Sequence, residues 1–283
     1  MYAVIGGSGF EKFEGFEVLE LLNVTTPFGE ASSGLKRVKV ENKEFLFISR
    51  HGEHHEFLPS EINYRANIFA LKKYGAKGII SFSAVGSLSK DLPPGDLVVP
   101  NQYIDRTKGL RSHTFLGQGL VGHVSLAHPI CQTMEYNLKE LLKSMNGVKA
   151  HFSKTYICIE GPYFSTQAES LSYRQQGADI IGMSHFPEYA LAREAGLPYL
   201  PCCFVTDYDC WDEAIPHVTV EEVIKVMKGN NIKAFELFKQ ILLQKDYWVG
   251  STAAEGGLKN GLFMSPERIP HEKKTWLEVL IRP

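Results

Sequence analysis

The sequence lacks the features that mark several broad classes of protein. Its 283 residues contain no apolar run long enough to span a bilayer, and Met1–Gly7 has no basic segment followed by an apolar stretch. The formal net charge is only −2, with 30 basic and 32 acidic residues. A chain without a basic excess has no long-range field that would gather nucleic acid or an anionic membrane. We therefore expect a cytoplasmic protein that acts on a small molecule.

Cysteine is scarce, which excludes a disulfide framework. The five cysteines are odd in number and include no Cys-x-x-Cys pair, so we expect reduced, mostly buried thiols. The histidines His54 and His55 lie close to His51, but no carboxylate or cysteine stands at a recognised metal spacing from them. We therefore expect no metal site.

No low-complexity linker, charge block or repeat divides the chain. This favours a single domain over residues 1–283. The stretch Gly250–Gly261 (GSTAAEGGLKNG) is rich in glycine and small polar residues, and we expect a mobile C-terminal segment over residues 250–283. A hinge, an active-site lid and a plain surface loop are all compatible with this composition.

Short β-branched or aromatic runs alternate with longer helical patterns. The predicted strands are Tyr2–Ile5, Phe45–Ser49, Gly78–Ser83, Leu97–Val99, Thr155–Ile159 and Leu200–Val205. The predicted helices are Glu61–Tyr74, Pro129–Met145, Gln167–Gln176, Pro187–Ala195 and Val220–Leu243. A capping box of Thr219 and Glu222 opens the last helix. The alternation predicts an α/β protein with a largely parallel or mixed sheet flanked by helices.

The glycine-rich turn Gly6–Gly9 follows the first strand and suits an anion, because glycines allow close backbone approach and Ser8 adds a hydroxyl. Two rival motifs fail here. A dinucleotide fingerprint needs a glycine where Lys12 stands, and the nucleophile elbow of a hydrolase needs one where Phe10 stands. The turn alone is a weak signal.

Two further segments also suit a bound phosphate. Ser49–Gly52 ends a strand with Arg50 and His51, and an arginine fork matches phosphate oxygens, although a surface ion pair would use the same residues. Ser81–Ser87 is a buried strand that ends in a small-residue turn, as the rim of a ligand pocket does.

Three later segments suit a purine nucleoside. Ile159–Ser165 and Gly182–Glu188 offer aromatic rings, a thioether and hydroxyls, and each alone is compatible with core packing. In Thr206–Trp211, Asp207 and Asp209 stand at alternate positions, so their carboxylates point to the same side of the strand end. Such a pair can bind calcium, cap a helix, or share a proton with purine N7 and accept from a 6-amino group.

Taken in order, nine motifs become recognisable as a set. They are GGSG (Gly6–Gly9), TPFG (Thr26–Gly29), RHG (Arg50–Gly52), INYRAN (Ile62–Asn67), SAVGSL (Ser83–Leu88), PPGDLVVPNQYIDRT (Pro93–Thr107), IEGPYFS (Ile159–Ser165), GMS followed by PE (Gly182–Glu188) and TDYDCW (Thr206–Trp211). The set resembles the trimeric purine nucleoside phosphorylase and methylthioadenosine phosphorylase family across nearly the whole chain. The resemblance implies a phosphorylase fold with a central mixed, partly barrel-like sheet flanked by helices.

The resemblance also assigns roles to residues. The phosphate-binding positions are Ser8, Arg50, His51, Ser83, Ala84 and Ser184, of which the three serines replace a threonine common in the methylthioadenosine branch. The purine and ribose positions are Ala84, Phe164, Met183, Asp207 and Asp209. The apolar wall for a methylthio group is Val218, Val220, Val223 and Ile224. In a homotrimer, His123 would be lent to the pocket by a neighbouring subunit.

The activity implied is phosphorolysis of 5'-methylthioadenosine to adenine and 5-methylthioribose 1-phosphate, a step of purine and methionine salvage. Asp207 and Asp209 are the catalytic candidates, with Asp207 acting as an acid toward N7 and Asp209 orienting the amino group. Inorganic phosphate is the co-substrate, and no metal or organic cofactor is implied.

Three alternatives stay open. Relatives that prefer 6-oxopurines carry asparagine where Asp207 stands, so a phosphorylase for inosine, guanosine or methylthioinosine is the first. A nucleoside hydrolase is the second, and a non-catalytic purine nucleoside-binding protein is the third.

The chain departs from the methylthioadenosine branch at several positions. His185 and Phe186 stand where small or β-branched residues are usual, and Tyr163 replaces an arginine. Gly182 replaces an asparagine and is closer to the 6-oxopurine enzymes. His185 follows Ser184, so it could tune the affinity for phosphate, cap a helix or pack in the core.

Overall fold

The computed structural model describes residues 1–10, 15–214, 220–244 and 257–282. In this part of the chain, nine strands form one mixed sheet in the order β2-β3-β4-β1-β5-β8-β7-β6-β9. The strands are β1 (Tyr2–Gly6), β2 (Glu17–Leu22), β3 (Leu35–Val40), β4 (Lys43–Ser49), β5 (Ile79–Ser87), β6 (Leu97–Arg106), β7 (Ala150–Ile159), β8 (Ile180–Gly182) and β9 (Tyr199–Tyr208).

Half of this sheet closes on itself. Strand β5 pairs with β8 on one side and with β9 on the other, and β8, β7, β6 and β9 complete a ring of five strands. The pairs β5–β9, β6–β7 and β7–β8 are parallel, whereas β5–β8 and β6–β9 are antiparallel. The predicted α/β fold with a mixed, partly barrel-like sheet flanked by helices is confirmed.

Seven α-helices pack around the sheet in the described residues. They are α1 (Tyr64–Lys73), α2 (Gln132–Leu142), α3 (Gln167–Gln175), α4 (His185–Glu194), α5 (Val220–Leu243), α6 (Gly257–Gly261) and α7 (His271–Ile281), with a 3₁₀ turn at Pro266–Arg268. None of the helices described is long and apolar enough to cross a membrane. The helix α5 has the predicted bounds, while its proposed cap Thr219 lies outside the described residues.

The sequence patterns missed three strands. The edge strand β2 is largely exposed, so it carries no buried face that would produce a hydrophobic pattern, and β3 alternates only in part. Strand β8 has three residues and is defined by its neighbours β5 and β7 rather than by its own sequence. Strands β6 and β7 extend beyond the predicted segments, since their outer residues are half-exposed.

The C-terminal residues that the structure describes pack onto the body of the protein. The predicted loop over residues 250–261 is helical at Gly257–Gly261, and residues 250–256 lie outside the described part. Leu258, Leu277 and Leu280 are buried, and the guanidinium of Arg282 donates to the backbone at the end of α1. The single-domain organisation and the mobility of the 250–283 segment stay predictions.

The cysteines in the described residues are free thiols. Four of them, Cys131, Cys158, Cys202 and Cys203, are buried, and Cys210 is half-buried. Burial raises the pKa of Cys158 to about 11, so this thiol is neutral.

One buried ion pair joins elements that are distant in sequence. Arg50, directly after β4, forms a bidentate pair with Glu188 of α4, with Nε–Oε2 and Nη2–Oε1 distances of 2.6 and 2.9 Å. Ser81 of β5 and Tyr199 of β9 each donate a hydroxyl to Glu188 at 2.7 Å. Burial disfavours both charges, but each ion stabilises the other, so the pKa of Arg50 is raised and that of Glu188 is lowered.

We predict that Glu188→Gln lowers the free energy of unfolding by about 3–5 kcal/mol, because it leaves the buried Arg50 charge without a counter-ion. The matched control is Glu140→Gln, since Glu140 pairs with Lys143 on the exposed face of α2 at 2.7 Å. That exposed pair contributes about 0–1 kcal/mol. Urea denaturation of the two variants and the wild type measures both effects, and equal shifts would contradict the role given to the buried pair.

Candidate active site

Three residues predicted to bind phosphate, Ser8, Arg50 and Ser83, lie in or just after three adjacent strands of the sheet. Strand β1 lies between the parallel strands β4 and β5, and its Gly6 is in register with Ser49 on one side and Phe82 on the other. The residues that follow Gly6, Ser49 and Phe82 in the sequence are Gly7, Arg50 and Ser83. Carboxyl ends of parallel strands are the usual place for ligands in such sheets.

The turn after β1 needs glycine for space. A β-carbon at Gly7 would lie 2.2 Å from Arg50 Nη1 and 2.8 Å from the Phe82 carbonyl oxygen. Gly9 has a φ of +81°, where side chains are strained. Ser8 stands between them, half-buried, and its hydroxyl is the polar group that this turn presents.

The guanidinium of Arg50 does not offer a fork to phosphate, contrary to the expectation from the sequence. Its Nε and Nη2 edge is occupied by Glu188, Nη2 also donates to Ser81 Oγ at 2.6 Å, and Nη1 donates to the Phe82 carbonyl at 3.1 Å. These are four of the five N–H groups of an arginine. No hydrogen bond among the described residues uses the second Nη1 N–H, which lies beside Gly7, so this is the N–H of Arg50 that phosphate could accept from.

The neighbouring His51 is buried and has a fixed ring orientation. Its Nδ1 lies 2.9 Å from the carbonyl oxygen of Phe57, which only accepts, so Nδ1 carries a proton. The ring stacks on His55 with a centroid distance of 4.6 Å. Nε2 of His51 can therefore donate to phosphate only when the ring is protonated.

Two of the three remaining phosphate candidates are buried serines. Ser184 is the N-cap residue of α4, but its side chain makes no capping hydrogen bond, which keeps the hydroxyl available for a ligand. Ser83 Oγ lies 2.9 Å from Nε2 of His185, the residue after Ser184. Ala84 follows Ser83 on β5 and is half-buried, opposite Phe204 of β9.

The two carboxylates lie together at the end of β9. Gly86 of β5 is in register with Asp207, and a β-carbon at Gly86 would lie 3.2 Å from Asp207 Oδ1 and 3.7 Å from Asp209 Cβ. The two carboxylates therefore lie beside Gly86, where β5 has no side chain. This places both acids beside the strand that carries Ser83 and Ala84.

Both carboxyl groups are easier to protonate than ordinary aspartates. Burial raises the pKa of Asp207 to about 6, the charge of Asp209 adds to this effect, and the hydroxyl of Thr206 opposes it by donating to Asp207 Oδ2 at 2.6 Å. Burial also raises the pKa of Asp209, against the effect of the nearby Ser170 and Ser165 hydroxyls. In the described residues, the buried Asp209 Oδ2 forms no hydrogen bond of normal geometry, although the hydroxyls of Ser165 and Ser170 lie near this carboxyl group.

The ribose and methylthio candidates are placed less uniformly. Met183 is half-buried against the loop after β7, where a β-carbon at Gly161 would lie 2.5 Å from its sulfur. On α5, Val223 is half-buried and Ile224 is 49% exposed. The next turn of α5 covers the glycine-rich turn, since a β-carbon at Gly9 would lie 2.8 Å from the methyl carbon of Met227.

Two of the residues predicted for the apolar wall lie wholly or partly outside the described part of the structure. Val218 lies outside the described residues, and of Val220 only its place at the start of α5 is described. The wall thus stays a prediction, supported by the position of α5 over Gly9.

Two other candidates lie at the surface. Phe164 is 65% exposed, and His123 is exposed with its ring 5.6 Å from that of Phe263, which is 79% exposed. No contact of the described residues joins either side chain to the acids or to the phosphate candidates. Their roles as pocket residues stay predictions.

Sequence reasoning missed the partners that fix the site residues. Glu188 and Ser81 accept from Arg50, Tyr199 donates to Glu188, and Tyr103 lies 3.2 Å from Nδ1 of His185. A glutamate in the first turn of a helix is ordinarily interpreted as a favourable charge at the N-terminus. Its burial next to an arginine 138 residues earlier depends on the closed sheet, which no local pattern reveals.

Comparison with known proteins agrees with this geometry. Residues 1–243 match the model of the phosphorylase superfamily. The S-methyl-5'-thioadenosine phosphorylase of Geobacter sulfurreducens is 40% identical over 98% of this chain and 96% of its own length.

Solved structures are similar over much of the chain as well. The crystal structure of a methylthioadenosine phosphorylase from an antarctic soil metagenomic library has a TM-score of 0.91 and 40% identity, covering 99% of this chain and 98% of that one. A variant of the adenosine/methylthioadenosine phosphorylase from Schistosoma mansoni, in complex with methylthioadenosine, has a TM-score of 0.78 and 36% identity, covering 85% and 90%. The chain therefore belongs to the phosphorylase superfamily and, within it, to the S-methyl-5'-thioadenosine phosphorylases.

Proposed function

We propose that this chain splits 5'-methylthioadenosine with inorganic phosphate, giving adenine and 5-methylthioribose 1-phosphate. The observation that carries the proposal is the acid pair at the end of β9, beside the strand with the phosphate candidates. Asp207 has a pKa of about 6, and Asp209 Oδ2 is buried without a hydrogen bond of normal geometry in the described residues. We assign Asp207 to N7 of adenine and Asp209 to the 6-amino group.

The reaction needs charge relief on the purine. As the bond between C1' and N9 breaks, its electron pair moves onto the base, and a phosphate oxygen forms the new bond to C1'. A protonated Asp207 would donate to N7 and so neutralise the leaving group. A carboxyl with a pKa near the working pH is well matched to such an acid role.

The choice of a 6-aminopurine follows from Asp209. An amino group donates, so it would satisfy the buried Oδ2 acceptor of Asp209, whereas a 6-oxo group would place two acceptors against each other. The sequence nevertheless contains Gly182, which is typical of the 6-oxopurine enzymes. A β-carbon at Gly182 would lie 2.0 Å from the hydroxyl oxygen of Tyr156, so packing against Tyr156 is sufficient to explain this glycine.

We predict that the purified protein releases adenine from methylthioadenosine only when phosphate is present, and that methylthioinosine and inosine are poor substrates. The reason is that phosphate is the nucleophile and Asp209 prefers an amino group. Chromatography of the products with and without phosphate tests this directly. Cleavage without phosphate would indicate a hydrolase, cleavage of 6-oxo substrates alone would overturn the purine choice, and binding without turnover would leave a silent nucleoside-binding protein. A chelator should not change the rate, because we propose no metal or organic cofactor.

We predict that Asp207→Asn lowers kcat/KM for methylthioadenosine roughly 100-fold or more, because an amide cannot transfer a proton to N7. The same change should shift the preference toward inosine, because it removes one charge of the acid pair and so weakens the repulsion between the pair and a 6-oxo group. Steady-state kinetics with both substrates measures the two effects. Asp212→Asn is the matched control, because Asp212 lies five residues after Asp207 and pairs with the exposed Lys90.

The pH profile of the same enzymes separates the acid role from packing. Asp207 is protonated below a pKa of about 6, so kcat/KM at saturating phosphate should fall as the pH rises from 6 to 8 in the wild type. In Asp207→Asn this fall should be absent. An unchanged substrate preference and an unchanged pH profile would remove Asp207 from both roles.

We also propose that the protein is a cytoplasmic homotrimer in which His123 completes the pocket of a neighbouring subunit. Exposed rings support an interface at His123, since Phe263 beside it is 79% exposed; Phe164, elsewhere in the sequence, is 65% exposed. Soluble monomers rarely leave such rings uncovered in groups.

We predict that His123→Ala raises KM for the nucleoside about tenfold and leaves KM for phosphate unchanged, because the imidazole would be donated to the nucleoside side alone. His128→Ala is the control on the same loop. Kinetics with each substrate varied in turn, together with light scattering to count subunits, tests both parts. A fully active monomer would contradict the shared pocket.

A further inference from the structure

His185 is a buried polar residue for which the acid chemistry above has no use. It is fully buried directly behind Ser83, and its ring is stacked on that of Tyr156 at a centroid distance of 4.5 Å with an angle of 4°. Its two nitrogens are both engaged. Nε2 lies 2.9 Å from Ser83 Oγ, and Nδ1 lies 3.2 Å from the hydroxyl of Tyr103 on β6.

The protons shared by Tyr103, His185 and Ser83 can be placed by counting hydrogen-bond donors and acceptors. In one tautomer Nδ1–H donates to Tyr103 and Nε2 accepts from Ser83, which leaves the Tyr103 proton without an acceptor in the described residues and turns the Ser83 proton away from a ligand. In the other, Tyr103 donates to Nδ1 and Nε2–H donates to Ser83 Oγ. The donors of Tyr103, His185 and Ser83 then all have a partner once an anion accepts from Ser83. A buried donor without a partner is costly, so the second tautomer is favoured.

The imidazole stays neutral in this environment. Burial, and then the positive charge of Arg50, lower the pKa of His185 to about 3, so the ring is uncharged at any pH where the enzyme would work. The sulfur of Cys203 lies 3.9 Å from Nε2, and burial raises the pKa of this thiol to about 12. His185 thus has no ion-pair partner in Cys203 and acts on Ser83 as a directional N–H donor.

We propose that His185 is a positioning residue for phosphate: Tyr103 fixes its Nε2–H tautomer, His185 donates to Ser83 Oγ, and the Ser83 hydroxyl proton is thereby committed to the bound phosphate. The proposal rests on the proposed function, in that it takes phosphate to be the anion at Ser83. A serine hydroxyl alone rotates freely among its acceptors and donors. With its lone pair occupied by His185, it is oriented before the ligand arrives.

The test compares two variants at His185. Leucine removes the donor and keeps an apolar side chain of similar bulk, whereas the amide nitrogen of glutamine can take the place of Nε2. We expect His185→Leu to weaken phosphate binding about tenfold and His185→Gln to stay within about threefold of the wild type. Calorimetric titration with inorganic phosphate measures this without turnover, and kinetics with each substrate varied should show a raised KM for phosphate with an unchanged KM for methylthioadenosine.

A second variant removes only one oxygen atom. Tyr103→Phe deletes the hydroxyl that sets the tautomer but keeps the ring, which stacks on Tyr189 at a centroid distance of 4.1 Å. We expect phosphate affinity to fall about threefold. The decisive background is Ser83→Ala, in which His185→Leu and Tyr103→Phe should have no further effect on phosphate affinity, because both act through the hydroxyl that is missing.

Each outcome decides the matter. Unchanged phosphate affinity in His185→Leu would overturn the proposal. So would a loss of phosphate affinity from His185→Leu that is equal with and without the Ser83 hydroxyl. A parallel fall of all kinetic constants in both His185 variants, with a lowered midpoint of unfolding, would show that the residue is only structural. If the wild type binds phosphate without cleaving methylthioadenosine, the proposed function fails while the titrations still test His185; if it binds no phosphate, both fail.

Discussion

The buried charge of Arg50 is the constraint on which the arrangement of the site depends. An uncompensated guanidinium in this position would be strongly destabilising, so Glu188 must meet it, and Glu188 in turn needs its other lone pairs satisfied. Ser81 and Tyr199 supply those hydrogen bonds at 2.7 Å. One ion pair therefore fixes the end of β4, the middle of β5, the start of β9 and helix α4 relative to one another.

This compensation changes how an anion can be held. In the proposed phosphate site, Arg50 is neutralised by Glu188 and His185 is uncharged, so we expect much of the stabilisation of phosphate to come from oriented dipoles such as the serine hydroxyls and the second Nη1 N–H of Arg50. Oriented donors in a buried site cost little reorganisation when the ligand binds. The position of each hydroxyl proton then matters more than the net charge, and for that reason a neutral histidine behind Ser83 has a chemical consequence.

The sequence predicted those features that leave a local trace. Helix α5 was bounded correctly because its apolar positions repeat over many turns, and the main strands of the barrel were found because they are buried runs. Strand β8 was missed, since three residues carry no period. The fork of Arg50 was assigned to phosphate because its true partner, Glu188, is 138 residues away in sequence. A sequence motif can indicate that Arg50 lies at a site. Which of its N–H groups are already hydrogen-bonded depends on the closed sheet, which brings Glu188 next to it.

Two departures from the family pattern, Gly182 and His185, form one packing arrangement rather than separate changes. Gly182 leaves the space that the hydroxyl of Tyr156 fills, because any side chain there would begin 2.0 Å from that oxygen. The ring of Tyr156 then offers a flat face on which His185 stacks, and Tyr103 closes the row by holding Nδ1. A small residue at 185 would leave a cavity against Tyr156, and a branched residue could not stack on it. The packing of Tyr156 and His185 thus accounts for Gly182, and our proposal for purine choice rests on the carboxylates at the end of β9.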